Sequence, residues 1–126
     1  MSVKKILVAE DDKFLADVFL TKLTKEGFNV IQAFNGEDAI SVTKKYHPDL
    51  ILLDIVMPKK DGFDVLREIK EDDNTRDIPV IIMSNLGQEA DVMMGKKLKA
   101  AEYIIKTNTS LADIVKKIKQ YTKNDK

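Results

Sequence analysis

The sequence predicts a single α/β domain, a doubly wound parallel sheet of five strands covered by five helices. Three observations carry this. Short runs rich in Ile, Val and Leu alternate with stretches of helical periodicity along the whole chain. The runs are apolar at nearly every position instead of every second one, the pattern of strands buried on both faces. At 126 residues the chain is also long enough for one core without staples, burying about two-thirds of its surface at a radius of gyration of roughly 14 Å.

Taken in order, Lys5 to Ala9 is the first strand, stopped by Glu10, Asp11 and Asp12. Asp12 suits the N-cap of a helix over Phe14 to Glu26, with Phe14, Val18 and Leu23 along one stripe and Gly27 placed for a left-handed cap. The second strand is Asn29 to Phe34, and Asn35-Gly-Glu-Asp38 resembles a capping box opening the helix Glu37 to Tyr46. His47, before Pro48, is expected as a solvated loop residue, since a lone histidine has no partner ligands. Leu50 to Leu53 is the third strand and Phe63 to Glu71 the third helix. Val80 to Met83 is the fourth strand, followed by the helix Glu89 to Lys99, where Met93 and Met94 are expected to divide between core and surface. Tyr103 to Ile105 is the fifth strand. Ser110-Leu-Ala-Asp113 is a second capping box, and the helix Leu111 to Tyr121 repeats Leu111, Ile114, Val115 and Ile118 at helical spacing. The expected domain is 1–122, with 123–126 a short polar tail.

Composition removes several function classes. With no Cys and one His, a disulfide scaffold, a zinc module and a redox pair are excluded. Lys plus Arg number 21 against 21 Asp plus Glu, so the counterion-displacing surplus of a general nucleic-acid or anionic-membrane binder is missing. That zero is a cancellation: residues 1–85 hold 12 basic and 16 acidic groups, and residues 86–126 hold 9 and 5. The longest apolar runs, such as Leu50 to Leu53, fall far short of the ~20 residues a membrane span needs. The opening mimics a signal peptide, but Glu10 to Asp12 end its apolar run too early. The expected setting is cytoplasmic.

The polar residues at the strand ends point to chemistry. Glu10 and Asp11 follow the first strand, Asp54 the third, Ser84 the fourth and Lys106 the fifth. In a parallel sheet these ends share one edge, where open α/β sheets bind their ligands. If the third strand pairs on the far side of the first from the second, Asp11 and Asp54 become neighbours. Like charges about 4 Å apart repel by roughly 4 kcal/mol at an effective dielectric near 20, so the group calls for a counter-ion. Magnesium suits an oxygen-only donor set. A carboxylate can then attack phosphorus, with the metal, a lysine and a hydroxyl holding the phosphoryl oxygens. Each residue alone has a plainer reading, as a cap, a turn or a solvated strand end; the four positions together favour phosphoryl transfer.

These residues resemble the receiver domains of two-component response regulators. Ile-Leu-Val-Ala-Glu-Asp-Asp at 6–12 is similar to the family's acidic opening, and Asp54-Ile-Val-Met-Pro-Lys-Lys-Asp-Gly62 to its phosphoacceptor loop. Val80 to Ser84 and Tyr103 to Lys106 match its hydroxyl and lysine segments. The resemblance implies a flavodoxin-like sheet in the order 2-1-3-4-5. It implies Asp54 as phosphoacceptor, Mg2+ held by Glu10, Asp11, Asp54 and the backbone carbonyl of Val56, and Ser84 and Lys106 on the phosphoryl oxygens. Tyr103 occupies the aromatic switch position, coupled to Ser84. The implied partners are a histidine kinase or phosphotransfer protein and a downstream protein on the face of the fourth helix, fifth strand and fifth helix. Direct nucleic-acid or membrane contact is not implied, and a monomer or weak dimer is.

Two departures stand out. The family usually has a cis proline after the lysine; here Thr107 follows, and a cis bond there would cost about 3 kcal/mol, so a trans peptide and a shifted loop are predicted. Asn85 replaces a generally small residue and would either bond within the pocket or narrow its entrance. Val56 and Leu86, both apolar, are expected to restrict hydrolytic water and lengthen the phosphoryl lifetime. Competing readings are a small Mg-dependent phosphohydrolase resembling the haloacid dehalogenase group and a receiver-shaped module that is never phosphorylated. Glu10-Asp11-Asp12 lacks the Asp-x-Asp motif of the first, and the retained acidic pair, Ser84 and Lys106 argue against the second. A nucleotide-binding domain is disfavoured by the absence of a Gly-rich loop after the first strand.

Overall fold

Five strands and five helices alternate along the chain in a computed structural model that describes residues 3–123. They are β1 (Lys5–Ala9), α1 (Lys13–Lys25), β2 (Asn29–Ala33), α2 (Gly36–Tyr46), β3 (Leu50–Leu53), α3 (Gly62–Glu71), β4 (Val80–Ser84), α4 (Glu89–Lys97), β5 (Glu102–Ile105) and α5 (Leu111–Thr122). All strand pairs are parallel, in the order β2-β1-β3-β4-β5. This is the predicted doubly wound fold. Strand ends differ from the sequence reading by one residue: β2 stops at Ala33, β4 runs through Ser84, and β5 starts at Glu102.

Alternation along each buried strand builds two core layers. Leu7, Ala9, Ile51, Leu53 and Ile82 face Ala39, Val65, Leu66 and Ile69 of α2 and α3. Ile6, Val8, Leu50, Leu52, Ile81 and Met83 face Phe19 and Leu23 of α1 and Ile114, Val115 and Ile118 of α5. Each such Leu or Ile contributes about 1.5–3 kcal/mol on burial, so both layers resist displacement of the sheet that carries the site.

Four of the five helices, α1, α2, α3 and α5, start where a side chain accepts a free N–H group, and α4 starts at Gln88 without one. Leu15 N donates to Asp12 Oδ1 at 3.2 Å, Asp38 N to Asn35 Oδ1 at 2.8 Å, Asp64 N to Asp61 Oδ1 at 2.9 Å and Asp113 N to Ser110 Oγ at 3.1 Å. Gly27 closes α1 at φ +96°. His47 is exposed outside α2, as expected of a solvated loop residue, and serves as the left-handed C-cap of that helix at φ 47°.

Two expectations fail on side-chain placement. The buried stripe of α1 is Ala16, Phe19 and Leu23, whereas Val18 is half-buried and Phe14 is 80% exposed. At about 100° per residue, a helix that turns Ala16 and Phe19 to the sheet carries Phe14 to its far side. Met93 and Met94 do not divide: both are exposed, and Gly95 is the buried residue of α4. That helix sits close over Tyr103 and Ile82 through its glycine, leaving the methionines on the outside. It also ends at Lys97, and Lys99 takes a left-handed φ of 72° in the turn that follows. No cis peptide occurs among the described residues, and a short 3-10 turn, Lys106–Asn108, leads into α5. Of the expected polar tail, 124–126 lie outside the described residues.

Candidate functional site at the carboxyl edge of the sheet

Strand register gathers the polar ends. Because Ala9 pairs with Leu53, the residues that follow the two strands, Glu10 and Asp54, stand side by side, and Asp54 N donates to Ala9 O at 3.0 Å. Carboxylate oxygens of Glu10, Asp11 and Asp54 all lie within 4.8 Å of one another. Glu10 is 1% exposed and Asp54 5%, while Asp11 faces solvent. The acidic group is thus closed on the sheet side and open on the other.

Lys106 offsets much of this charge. From the end of β5 its Nζ reaches Glu10 Oε1 at 2.8 Å and Asp54 Oδ2 at 3.3 Å. Burial pushes the Glu10 carboxyl above its usual range, the Lys106 contact notwithstanding. Burial alone would lower the Lys106 ammonium, but its bond to Glu10 and the nearby Asp54 charge hold it above the ordinary value. Further donors fix the carboxylates: Asp12 N to Glu10 Oε2 at 3.1 Å and Val56 N to Asp54 Oδ1 at 3.4 Å. One ammonium against three carboxylates leaves net negative charge. The donors are all oxygens, without His or Cys, and a hard divalent cation fits that set.

Around this centre the remaining predicted residues take separate positions. Ser84 is fully buried at the end of β4, and its Oγ accepts from Leu86 N at 3.0 Å. Tyr103 is half-buried on β5 and donates its hydroxyl to the Leu86 carbonyl at 2.6 Å, so both residues meet the loop after β4. Val56 and Leu86 are 61% and 38% exposed, apolar side chains on the open side, and Asn85 is exposed beside Leu86.

Sequence reasoning missed how the loop after β3 is held. A Cβ on Gly62 would meet Ile55 Cα at 2.7 Å, and Gly62 N donates to Ile55 O at 2.7 Å, so the loop closes back on Asp54 and Ile55. Lys59 takes φ +73° at its turn, and Lys60 pairs with Glu68 of α3. The resemblance marked 54–62 as the phosphoacceptor loop, but not which neighbours would grip it.

A family model, the response regulator receiver domain, matches residues 6–119. The chain belongs to this family. It is therefore a receiver domain of two-component signalling, and its fold follows the family's plan. Among curated relatives, a probable transcriptional regulator ycf27 from Porphyridium aerugineum is 38% identical over 106 residues, which is 84% of this chain and 43% of that protein. The chain spans less than half the length of that relative. Among solved structures, the receiver domain of the Francisella response regulator 1452 is 29% identical with a TM-score of 0.88, covering 95% of this chain and 97% of that one. The phosphorylated cyanobacterial phytochrome response regulator RcpA is 34% identical with a TM-score of 0.85, over 95% and 94% of the two chains.

Proposed function

We propose that this receiver accepts a phosphoryl group on Asp54 from a histidine kinase or phosphotransfer protein, in a magnesium-dependent reaction, and signals through altered protein binding. The observation that carries the reading is the buried Asp54 carboxylate beside Glu10, Asp11 and Lys106. An Asp54 oxygen forms the new bond to phosphorus as the bond from phosphorus to the donor's imidazole nitrogen breaks, and that nitrogen leaves with the electron pair. Glu10, Asp11, Asp54 and the Val56 carbonyl would hold Mg2+, which supplies charge neutralisation for the carboxylates and the phosphoryl oxygens. Lys106 is close enough to follow Asp54 Oδ2 to a phosphoryl oxygen. Ser84 would donate to another, giving up its contact with Leu86 N, and Tyr103, bonded to the same loop, would register that change.

The outgoing signal is proposed to use α4, β5 and α5. Met93 and Met94 are exposed there, and the segment after residue 85 carries the chain's basic surplus. The proposed absence of direct nucleic-acid contact applies to this chain, since its acidic and basic residues balance; the relatives named as transcriptional regulators are longer proteins. No helix among the described residues is long and apolar enough to cross a membrane. A cytoplasmic monomer or weak dimer, with 1–122 as the receiver, completes the proposal.

Incubation with magnesium and a small acyl phosphate tests it. One stable acyl phosphate per chain supports a receiver; sustained turnover of phosphate esters would instead indicate a phosphohydrolase, and no labelling at all would leave an unphosphorylated interaction module.

A further inference from the structure

Gly36 is buried at the first turn of α2, far from Asp54 in sequence, yet it lies against the loop that follows Asp54. A Cβ built there would fall on the Lys60 carbonyl oxygen, with Lys60 Cβ at 2.6 Å and its carbonyl carbon at 2.7 Å. Two of these three atoms are backbone, so a rotamer change cannot relieve the overlap. Gly36 N also donates to Pro58 O at 3.2 Å. From the other side, Glu68 of α3 takes the Lys60 ammonium. Met57, between these contacts and Asp54, is buried in the core, which leaves the loop little freedom to absorb a push.

We propose that Gly36 is a positioning residue for the phosphoacceptor loop: its missing side chain lets α2 clamp Pro58 to Lys60, and so sets where the Val56 carbonyl and Asp54 stand for the metal. This rests on the magnesium-dependent reading above. Gly36 touches neither metal nor phosphoryl group and acts through the loop. Residues that orient ligands from behind typically alter metal affinity about 10- to 100-fold when changed.

The test separates magnesium requirement from maximal rate. Wild type, Gly36→Ala and Gly27→Ala are labelled with acetyl phosphate over a magnesium chloride titration, and their melting temperatures are measured. Gly27, at φ +96° with nothing within 4 Å of an added Cβ, is a strained but remote control. Gly36→Ala should raise half-saturating magnesium about tenfold or more and recover most of its rate at saturation. Gly27→Ala should lower the melting temperature with half-saturation unchanged. An unchanged half-saturation in folded Gly36→Ala, or an equal rise in Gly27→Ala, overturns the clamp while leaving Asp54 labelling intact. A wild type that is not labelled at all removes the underlying reading, and the clamp with it. If Gly36→Ala does not fold, Glu68→Gln frees the Lys60 end without touching α2; a smaller rise supports the clamp, and none overturns it.

Discussion

Replacing Asp54 by Asn should stabilise the metal-free protein, although it deletes an ion pair. Asp54 lies within 4.8 Å of carboxylate oxygens on both Glu10 and Asp11. At an effective dielectric near 20, each repulsion is about 3.5 kcal/mol, or roughly 7 together. Against this stands Lys106 at 3.3 Å from Asp54 Oδ2, an attraction of about 5 kcal/mol on the same scale. Solvent screening at exposed Asp11 weakens one repulsion, while relief from keeping a charge at the 5%-exposed Asp54 acts in the stabilising direction. The balance is a gain of about 1–2 kcal/mol, a rise of roughly 3–8 °C in melting temperature for a domain of this size. Thermal unfolding by circular dichroism in EDTA reads it. Magnesium should then raise the wild-type midpoint more than that of Asp54→Asn, because the variant has less repulsion to relieve. An Asp54→Asn midpoint in EDTA at or below wild type would refute the claim that repulsion outweighs the lysine contact.

Two further outcomes follow from the same geometry. Lys106→Met leaves Glu10 and Asp54 buried without their ammonium, which should cost about 3 kcal/mol in EDTA, with part of the loss recovered in saturating magnesium; an unchanged EDTA midpoint in chemical denaturation counts against it. Val56→Asn with Leu86→Ser replaces the apolar side chains on the open side and should shorten the phosphoryl half-life several-fold, on the order of 1 kcal/mol in the barrier; a half-life that does not fall defeats the shielding role.

The fold was legible because its signals are local and redundant. β3 and β4 are apolar at consecutive positions, which only burial on both faces explains. Asp12, Asn35 and Ser110 mark helix starts that the structure reproduces. Helix faces were harder to read. Phe14 looked like core because it is large and apolar, but Ala16 holds that face and rotation carries Phe14 to solvent. Met93 and Met94 are exposed because Gly95, not a large side chain, makes the close contact with Tyr103.

The candidate site divides along the same line. Parallel strands share a direction, so residues that end them share an edge, and the strand order implied by the family resemblance brings Glu10, Asp11, Asp54 and Lys106 together on it. Contacts made by loops do not follow. The bridge from Lys106 to both Glu10 and Asp54 is one such contact. The grip of Gly36 on Lys60 and the bond from Tyr103 to the Leu86 carbonyl depend on loop paths that no periodicity encodes.

The central claim is that Asp54 takes up the phosphoryl group. Wild type and Asp54→Asn, incubated with magnesium and acetyl phosphate and analysed by intact mass, test it most directly. The account predicts one added phosphoryl group on wild type, lost in EDTA, and none on Asp54→Asn. Undiminished labelling of the variant, or no labelling of wild type, would contradict it.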